Sequence, residues 1–261
     1  MTSGDAVDAG WRLDGRVALV TAAGRGIGRA TAHLLAKAGA RVVVADVDAG
    51  AATQVADAIV AEGRTADACA FDVADEAGVA AAVDGIVARQ GRLDVLVNNA
   101  GIASRVPAQA LTRAAWERTL AVNATGAFLC AREAGRTMLA AGRGAIVNVA
   151  SVMGLVGRGL GPNSDYHASK GALVAWTRAL ACEWAAAGVR VNAVAPGYVA
   201  TPLIRKAFAG AEVRARIVDR QALGRLIEPS EVAAAILFLA SDAASAITGV
   251  TLPVDGGWTA G

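Results

Sequence analysis

Tyr166 and Lys170 stand four residues apart in YHASK, just over one helical turn, so a single helix face presents a phenol and an ammonium. A free tyrosine ionises near pH 10. Exchanging its proton near neutrality needs a neighbouring cation that favours the phenolate, and Lys170 is that cation. Ser151 closes the apolar run IVNVAS, a position from which its hydroxyl can bond the oxygen whose proton the tyrosine exchanges. Taken alone, a Tyr-xxx-Lys pair is more often a solvated surface pair, so the rest of the chain must decide its chemistry. His33 and His167 share no metal-ligand spacing, and no metal is expected.

A second constellation lies near the start. The apolar run ending at Thr21 leads directly into AAGRGIG, where Gly24, Arg25, Gly26, Ile27 and Gly28 make a turn that opens a helix over Ile27 to Ala38. Glycines there let backbone N–H groups approach a pyrophosphate, which the aligned dipoles of a helix N-terminus stabilise. A tight turn alone would also explain them. Asp46, about 20 residues on and ending VVVAD, is placed to accept hydrogen bonds from ribose hydroxyls. A 2′-phosphate beside it would meet about 4 kcal/mol of repulsion at 4 Å and an effective dielectric near 20. Exposed Arg25 would return only about 0–1 kcal/mol, so NAD is expected over NADP. Asp72 and Val73 end a third run and either border the adenine or cap a helix. Asn98 to Gly101, with Asn99, Ala100 and Gly101, leave room for close cofactor approach.

These residues need a scaffold that brings strand ends together. Short Val/Ile/Ala runs at Val17–Thr21, Arg41–Ala45, Ala66–Phe71, Val95–Asn98, Ala145–Val149, Arg190–Ala195 and Val250–Val254 alternate with Ala-rich helical patterns. Seven parallel strands in a doubly wound α/β sheet flanked by helices are expected, with ligands beyond the carboxyl ends of the strands. Thr112 is the expected N-cap of a helix over Ala114 to Phe128, and Pro229 the first-turn residue of another over Val232 to Leu239.

The 261 residues contain no Pro/Ser-rich or charged linker, so one domain over 1–261 is expected, with 1–12 a flexible extension and 198–228 a lid over the substrate. Hydrophobic residues make up 55% and charged residues 18%, enough apolar material for a sheet covered on both faces. A net charge of +2 with scattered arginines argues against a nucleic-acid partner. The longest apolar stretch, Val232 to Ala240, is far short of the roughly 20 residues of a membrane span. The opening MTSGDAVDAGW does not resemble a secretion signal, and a cytoplasmic protein is expected. Cys69, Cys130 and Cys182 are expected to be reduced, buried thiols.

From Arg12 to Gly257 the sequence resembles the short-chain dehydrogenase/reductase family: TAAGRGIG, DV at Asp72–Val73, NNAG, NAT at Asn123, IVNVAS, YHASK, APGYVAT and the terminal VDGG occur in the family's order. The resemblance implies a Rossmann-type fold, proton transfer by Tyr166, phenolate stabilisation and ribose binding by Lys170, substrate polarisation by Ser151, and support of a proton-relay water by Asn123. It further implies that Val199 and Thr201, after Pro196 and Gly197, touch the carboxamide side of the nicotinamide. Two departures stand out: Ala22 replaces the glycine usual after the threonine of the turn, and the interval from Ser151 to Tyr166 is two residues longer than in many members. That longer loop looks like those of bacterial polyol dehydrogenases.

The expected activity is therefore hydride transfer between NAD(H) and a secondary alcohol or ketone, a polyol or sugar-derived alcohol. Two other readings stand beside it. One is a 3-oxoacyl-(acyl-carrier-protein) reductase, with Arg205, Lys206, Arg214, Arg216, Arg220 and Arg225 as a cationic docking face; the other is a non-catalytic cofactor sensor. The resemblance also implies a homotetramer, with two-fold interfaces along Ala114 to Ala140 and Tyr166 to Ala186. The tail VTLPVDGGWTAG is expected to put a strand, Trp258 and a flexible glycine end at the sheet's outer edge.

Overall fold

The computed structural model describes residues 10–157, 159–202, 204 and 210–261, without the side chains of 211, 213 and 214. Seven strands form one parallel sheet: β1 (Val17–Val20), β2 (Arg41–Asp46), β3 (Ala66–Ala70), β4 (Val95–Asn98), β5 (Gly144–Val149), β6 (Val189–Pro196) and β7 (Thr251–Val254), in the order β3-β2-β1-β4-β5-β6-β7. Each expected strand is found within a residue or two of its expected ends. Strand order reverses between β1 and β4, which pair directly, so their carboxyl ends open a crevice between the glycine-rich turn and Asn98–Gly101.

The period of two along the strands distributes their side chains between two cores. Ala18, Val20, Val42, Val44, Val95 and Val97 pack under α1 (Gly26–Lys37), α2 (Ala49–Ala61) and the last helix, α8 (Pro229–Ala240). Val17, Leu19, Val43, Ala45 and Leu96 face the opposite layer of α3 (Glu76–Gln90), α5 (Gly126–Ala140) and α6 (Ser164–Trp184). Two further helices, α4 (Arg113–Leu120) and α7 (Ala211–Arg220), follow β4 and β6. Thr112 caps α4 by accepting from the Ala115 N–H, and Pro229 opens α8 beside a Glu228/Glu231 capping box.

Three expectations need correction. The helix expected over Ala114 to Phe128 is interrupted by a π-helical turn, Ala121–Thr125, and its second part continues to Ala140. Of the cysteines, only Cys130 is fully buried; Cys69 lies half-covered on edge strand β3, and Cys182 is exposed on α6. Burial pushes the Cys130 thiol up to about 12, leaving it inert. Trp258 does not stand at the sheet's outer edge. It is only 1% exposed, packs on Tyr198 with ring centroids 4.8 Å apart, and carries Arg220 over its ring at 4.2 Å. Asp255 folds the tail inward by accepting from the N–H groups of Gly257 and Thr259 and from the Thr259 hydroxyl.

Among the described residues no helix is long and apolar enough to cross a membrane. Residues 1–9 of the expected N-terminal extension lie outside the described residues, whereas Trp11 packs on Phe238 of α8 at 5.4 Å.

Candidate active site

The nucleotide half of the crevice is made largely of backbone. Helix α1 begins at Gly26 after Arg25, which supplies no side-chain cap, and its first turn contains no acidic residue. Its leading N–H groups therefore have no acceptor from a capping side chain, unlike those of α2, where Asp48 accepts from Ala51. An uncapped helix N-terminus is a ready seat for phosphate.

The glycines have separate reasons. A Cβ at Gly24 would lie 2.7 Å from the Ala51 methyl and 2.9 Å from Asp46 Oδ2; Gly26 needs its φ of +57°; a Cβ at Gly28 would collide with the Ala22 carbonyl and the Asn99 amide. Asn99 holds this turn to β4 by donating from Nδ2 to the carbonyls of Thr21 (3.0 Å) and Ala22 (3.1 Å). Thr21 Oγ1 accepts from the N–H groups of Asn99 and Ala100. The sequence-assigned Asn99 thus acts through the turn, and Thr21 is a partner that sequence reasoning did not single out.

Ala22 adopts φ +49°, the left-handed region that favours glycine. The substitution noted in the sequence is consequently strained. An alanine there costs about 1–2 kcal/mol, and a glycine gives back about 0.4–1 kcal/mol through its freer unfolded state. Ala22→Gly is expected to raise stability by up to about 1 kcal/mol, worth about 2–4 °C in Tm for a chain of this size. Equal midpoints in denaturant melts of the two proteins would contradict this reading of the turn.

Asp46 is buried at the end of β2, where Oδ2 accepts from Gly24 N (2.9 Å) and Oδ1 from Asp48 N (3.1 Å). Next to it Val47 is 69% exposed and offers no polar side chain. Asp72 is not the helix cap considered from sequence: α3 starts after Asp75, while Asp72 Oδ1 accepts from Ala74 N within the turn and Oδ2 lies 3.6 Å from Arg118. Val73 is buried against Gly126.

The chemical half is built around α6. Its Tyr166 is half-buried, with the Ser151 hydroxyl close enough to favour the phenolate. Lys170 Nζ lies 5.7 Å from the Tyr166 ring centroid and donates to Val149 O at 2.7 Å, so the end of β5 fixes the ammonium. Ser151 is held in extended backbone as the N-cap of the short turn Val152–Gly154, its Oγ accepting from Met153 N. That turn sits on α6 so closely that a Cβ at Gly154 would come within 2.7 Å of the Lys170 carbonyl carbon.

Burial pushes the Tyr166 phenol up, partly offset by the neighbouring Ser151 hydroxyl and the Arg105 charge. Burial also pushes Lys170 down, to about 8. The electrostatics differ from the simple expectation: Ser151 and Arg105 favour the phenolate, and desolvation opposes the charge of both the phenolate and the Lys170 ammonium.

Asn123 lies in the π-helical turn, fully buried. It accepts from Ile102 N at 2.8 Å and donates from Nδ2 to Ile102 O and to Ser169 Oγ, each at 2.9 Å. Such bulges often mark functional positions, a tertiary signal that residue spacing cannot show. Gly101 connects the groups, since a Cβ there would stand 3.3 Å from Lys170 Nζ and 3.6 Å from Asn123 Oδ1.

Asp165 was also missed. Completely buried beside Tyr166, it accepts from Thr119 Oγ1 (2.6 Å) and Ser104 N (3.3 Å), tying the start of α6 to α4 and to the loop after β4. At the other edge, Gly197 follows Pro196 at the end of β6, so close to Asp255 that a Cβ would lie 2.9 Å from its Cα. Val199 is buried and bridges to Ile227, while Thr201 approaches within 3.3 Å of a Cβ placed on Gly26. The segment after β6 therefore borders the glycine turn.

Comparison with known proteins agrees with this geometry. A family model described as enoyl-(acyl carrier protein) reductase matches residues 21–259. The cis-4-hydroxycyclohexanecarboxylate dehydrogenase of Sinomonas cyclohexanicum is 52% identical over 94% of this chain and 97% of its own. The chain belongs to the short-chain dehydrogenase/reductase family. D-threitol dehydrogenase of Mycolicibacterium smegmatis is 44% identical over 97% of this chain and 96% of its own. The crystal structure of a gluconate 5-dehydrogenase from Burkholderia cenocepacia, in complex with NADP and tartrate, superposes with a TM-score of 0.93. It is 39% identical, covering 98% of this chain and 99% of that one. The family's Rossmann-type sheet and the order of its motifs are those found in this chain.

Proposed function

We propose that this family member is an NAD-dependent dehydrogenase of secondary alcohols, interconverting alcohol and ketone. The observation that carries this reading is the meeting of Ser151, Tyr166 and Lys170, with the ammonium fixed 5.7 Å from the tyrosine ring centroid, at strand ends that also border an uncapped helix N-terminus. The glycine cradle and the space over Gly101 suit a nicotinamide dinucleotide, with its pyrophosphate at Gly24–Gly28, a ribose at Asp46, adenine beside Asp72 and Val73, and the nicotinamide near Val199 and Thr201. When bound, the nicotinamide supplies the hydride acceptor or donor. Ser151 orients the substrate oxygen, Tyr166 takes or gives its proton, Lys170 supports the phenolate and binds ribose, and Asn123 supports a proton-relay water.

The relatives' named substrates make polyols, sugar-derived alcohols and alicyclic alcohols the first compounds to test. Residues 198–228 serve as the substrate lid in this reading. Its base is pinned where Val199 bridges Ile227, and buried Ile217 of α7 presents its apolar underside to Val152, Met153, Tyr198 and Trp258. Appearance of NADH with a panel of secondary alcohols tests the function; cofactor binding without turnover of any of them would favour a sensor instead. The docking face considered for an acyl-carrier partner loses two members: Arg220 lies on Trp258 and Arg225 is paired with Glu231 through two bonds of 2.7 Å. Arg205 and Lys206, and the side chain of Arg214, lie outside the described residues.

In this reading the protein is a cytoplasmic homotetramer. On the outer face of α5 and α6, Phe128 is 43% exposed and meets Trp176 edge-on at 6.4 Å, while edge strand β7 leaves Pro253 exposed. Light scattering at micromolar concentration is expected to give four chains; a mass near one chain would contradict it. Because Trp258 packs within its own chain, deleting Gly257 to Gly261 would damage the pocket and is no clean probe of assembly.

A further inference from the structure

Tyr166 stands in the first turn of α6, the third residue of Ser164–Trp184. Helix ends fray, and this one follows Asn163 without a side-chain cap, so the turn that carries the phenol lacks the usual local support. Its partners are better fixed. Lys170 Nζ is held by Val149 O, and Ser151 Oγ by Met153 N, at and just after the end of β5. A phenol that moved against these two would spoil the site without unfolding the chain.

What restrains the first turn is Asp165. An acidic residue in such a turn ordinarily stays in water, where it complements the helix dipole. Asp165 is instead completely buried, a costly place for a carboxylate unless it is hydrogen-bonded. Its Oδ2 accepts from Thr119 Oγ1 at 2.6 Å, in the last turn of α4, and from Ser104 N at 3.3 Å, in the loop after β4. Burial pushes the carboxyl up, and the hydrogen bonds outweigh it, holding the group below its ordinary value and charged at neutral pH.

A second restraint comes from the π-helical turn that directly follows α4. Asn123 donates to Ser169 Oγ at 2.9 Å, and that hydroxyl donates to the Tyr166 carbonyl at 2.8 Å. Asn123 also bonds both the N–H and the carbonyl of Ile102. Tyr166 is therefore bracketed: Asp165 before it and Ser169 after it are tied to one stretch of chain, Thr119 to Asn123, and through it to one loop, Ile102 to Ser104. The next residue of that loop, Arg105, has its backbone in the left-handed region at φ +58°, a strained conformation that persists where the surroundings impose it.

We propose that Asp165 is a positioning residue: by anchoring the first turn of α6 to Thr119 and Ser104, it sets where the Tyr166 hydroxyl stands against Ser151 and Lys170. This rests on the dehydrogenase reading above, so the test has one arm that requires turnover and one that does not.

In the first arm, oxidation of a secondary alcohol is measured for Asp165→Ala, Asp165→Asn and Thr119→Val, each alone and combined with Tyr166→Phe. Alone, Asp165→Ala is expected to lower kcat by about tenfold or more with KM for NAD changed by less than about twofold, since small misplacements of a reacting group are costly. Asp165→Asn is expected to lose less, because an amide oxygen still accepts from Thr119 and Ser104, and Thr119→Val to lower kcat in the same sense. Combined with Tyr166→Phe, none of the three is expected to cost more than about twofold further, because a residue acting through the phenol has nothing left to act on. A merely structural carboxylate would cost the same in both backgrounds.

The second arm needs no substrate. Tyr166 and Tyr198 are the chain's two tyrosines, so protein labelled with fluorotyrosine gives two fluorine resonances, assigned by Tyr166→Phe. Thr119→Val and Asp165→Asn are each expected to shift or split the Tyr166 resonance by more than its linewidth. Turnover lost equally with and without the Tyr166 hydroxyl, kcat unchanged in all three variants, or a Tyr166 resonance unmoved by both substitutions overturns the proposal. Should Asp165→Ala fail to fold, Asp165→Asn and Thr119→Val decide by the same criteria. A resonance that moves in both variants of a protein that oxidises no alcohol in a wide panel overturns the dehydrogenase reading and upholds the anchor.

Discussion

Replacing Tyr166 by Phe is expected to lower turnover of a secondary alcohol by about a hundredfold or more while leaving folding and NADH binding intact. The substitution retains the ring beside Lys170 and removes only the hydroxyl, so packing is nearly preserved. The pH profile adds a signature that a merely structural tyrosine would lack. Oxidation needs the phenolate as proton acceptor, and burial holds the Tyr166 phenol above its ordinary value, so the phenolate is scarce at neutrality and grows as pH rises. Lys170 keeps its proton below about 8 and supports the phenolate where it is scarce; above that its support fades. The kcat/KM for oxidation is accordingly expected to climb from pH 6 towards 9, while reduction, which uses the neutral phenol, does not climb. The Phe variant is expected to lack the climb. Near-normal turnover in that variant would remove Tyr166 from the mechanism.

NAD is expected to exceed NADP by at least about tenfold in kcat/KM, the ratio that about 1.4 kcal/mol produces. The structure sharpens the reason. Asp46 is fixed by two backbone N–H groups, so it cannot swing away from a 2′-phosphate without abandoning both. Its neighbour Val47 offers no side-chain donor, and Arg25 is exposed on the turn, where its pairing energy is small. The related gluconate 5-dehydrogenase in complex with NADP makes the measurement a demanding one for this chain. Asp46→Ala is expected to narrow the preference by removing the repulsion, though it also frees the Gly24 and Asp48 N–H groups and so weakens NAD binding. Equal efficiency with the two cofactors in the wild type would refute the role given to Asp46.

The sheet was legible because its strands are short Val/Ile/Ala runs buried on alternating sides, a pattern set by local chemistry. The Tyr166–Lys170 pair was legible for the same reason, since its geometry lies within one helical turn. Asn123 was not: its side chain is aimed from the π-helical turn Ala121–Thr125 onto Ile102 and Ser169, partners that only the folded chain brings to it, and nothing in AVNAT encodes that. Asp165 reads from sequence as an ordinary acidic residue in a helix's first turn, and only the folded chain brings Thr119 and Ser104 to it. Trp258 was misplaced because a glycine-rich tail beyond an edge strand carries no local record of folding back; the decisive bonds are those of Asp255. Ala22 lies between these cases, since the sequence showed alanine where the family usually has glycine and the structure supplied the angle.

The uncapped start of α1 bears on how this binding function can be lost. Most ligand sites are made of side chains, and truncating those side chains erases them. The anion seat proposed for this chain is instead written in the peptide backbone, and its specification consists of atoms that must be absent at Gly24, Gly26 and Gly28. Its vulnerability is therefore inverted: shortening the side chains around it removes none of its donors, while a single added methyl group blocks it. The seat also contains no titrating donor, so its hold on a pyrophosphate is expected to persist across pH ranges in which the tyrosine and lysine change charge, separating the holding of a dinucleotide from its reaction.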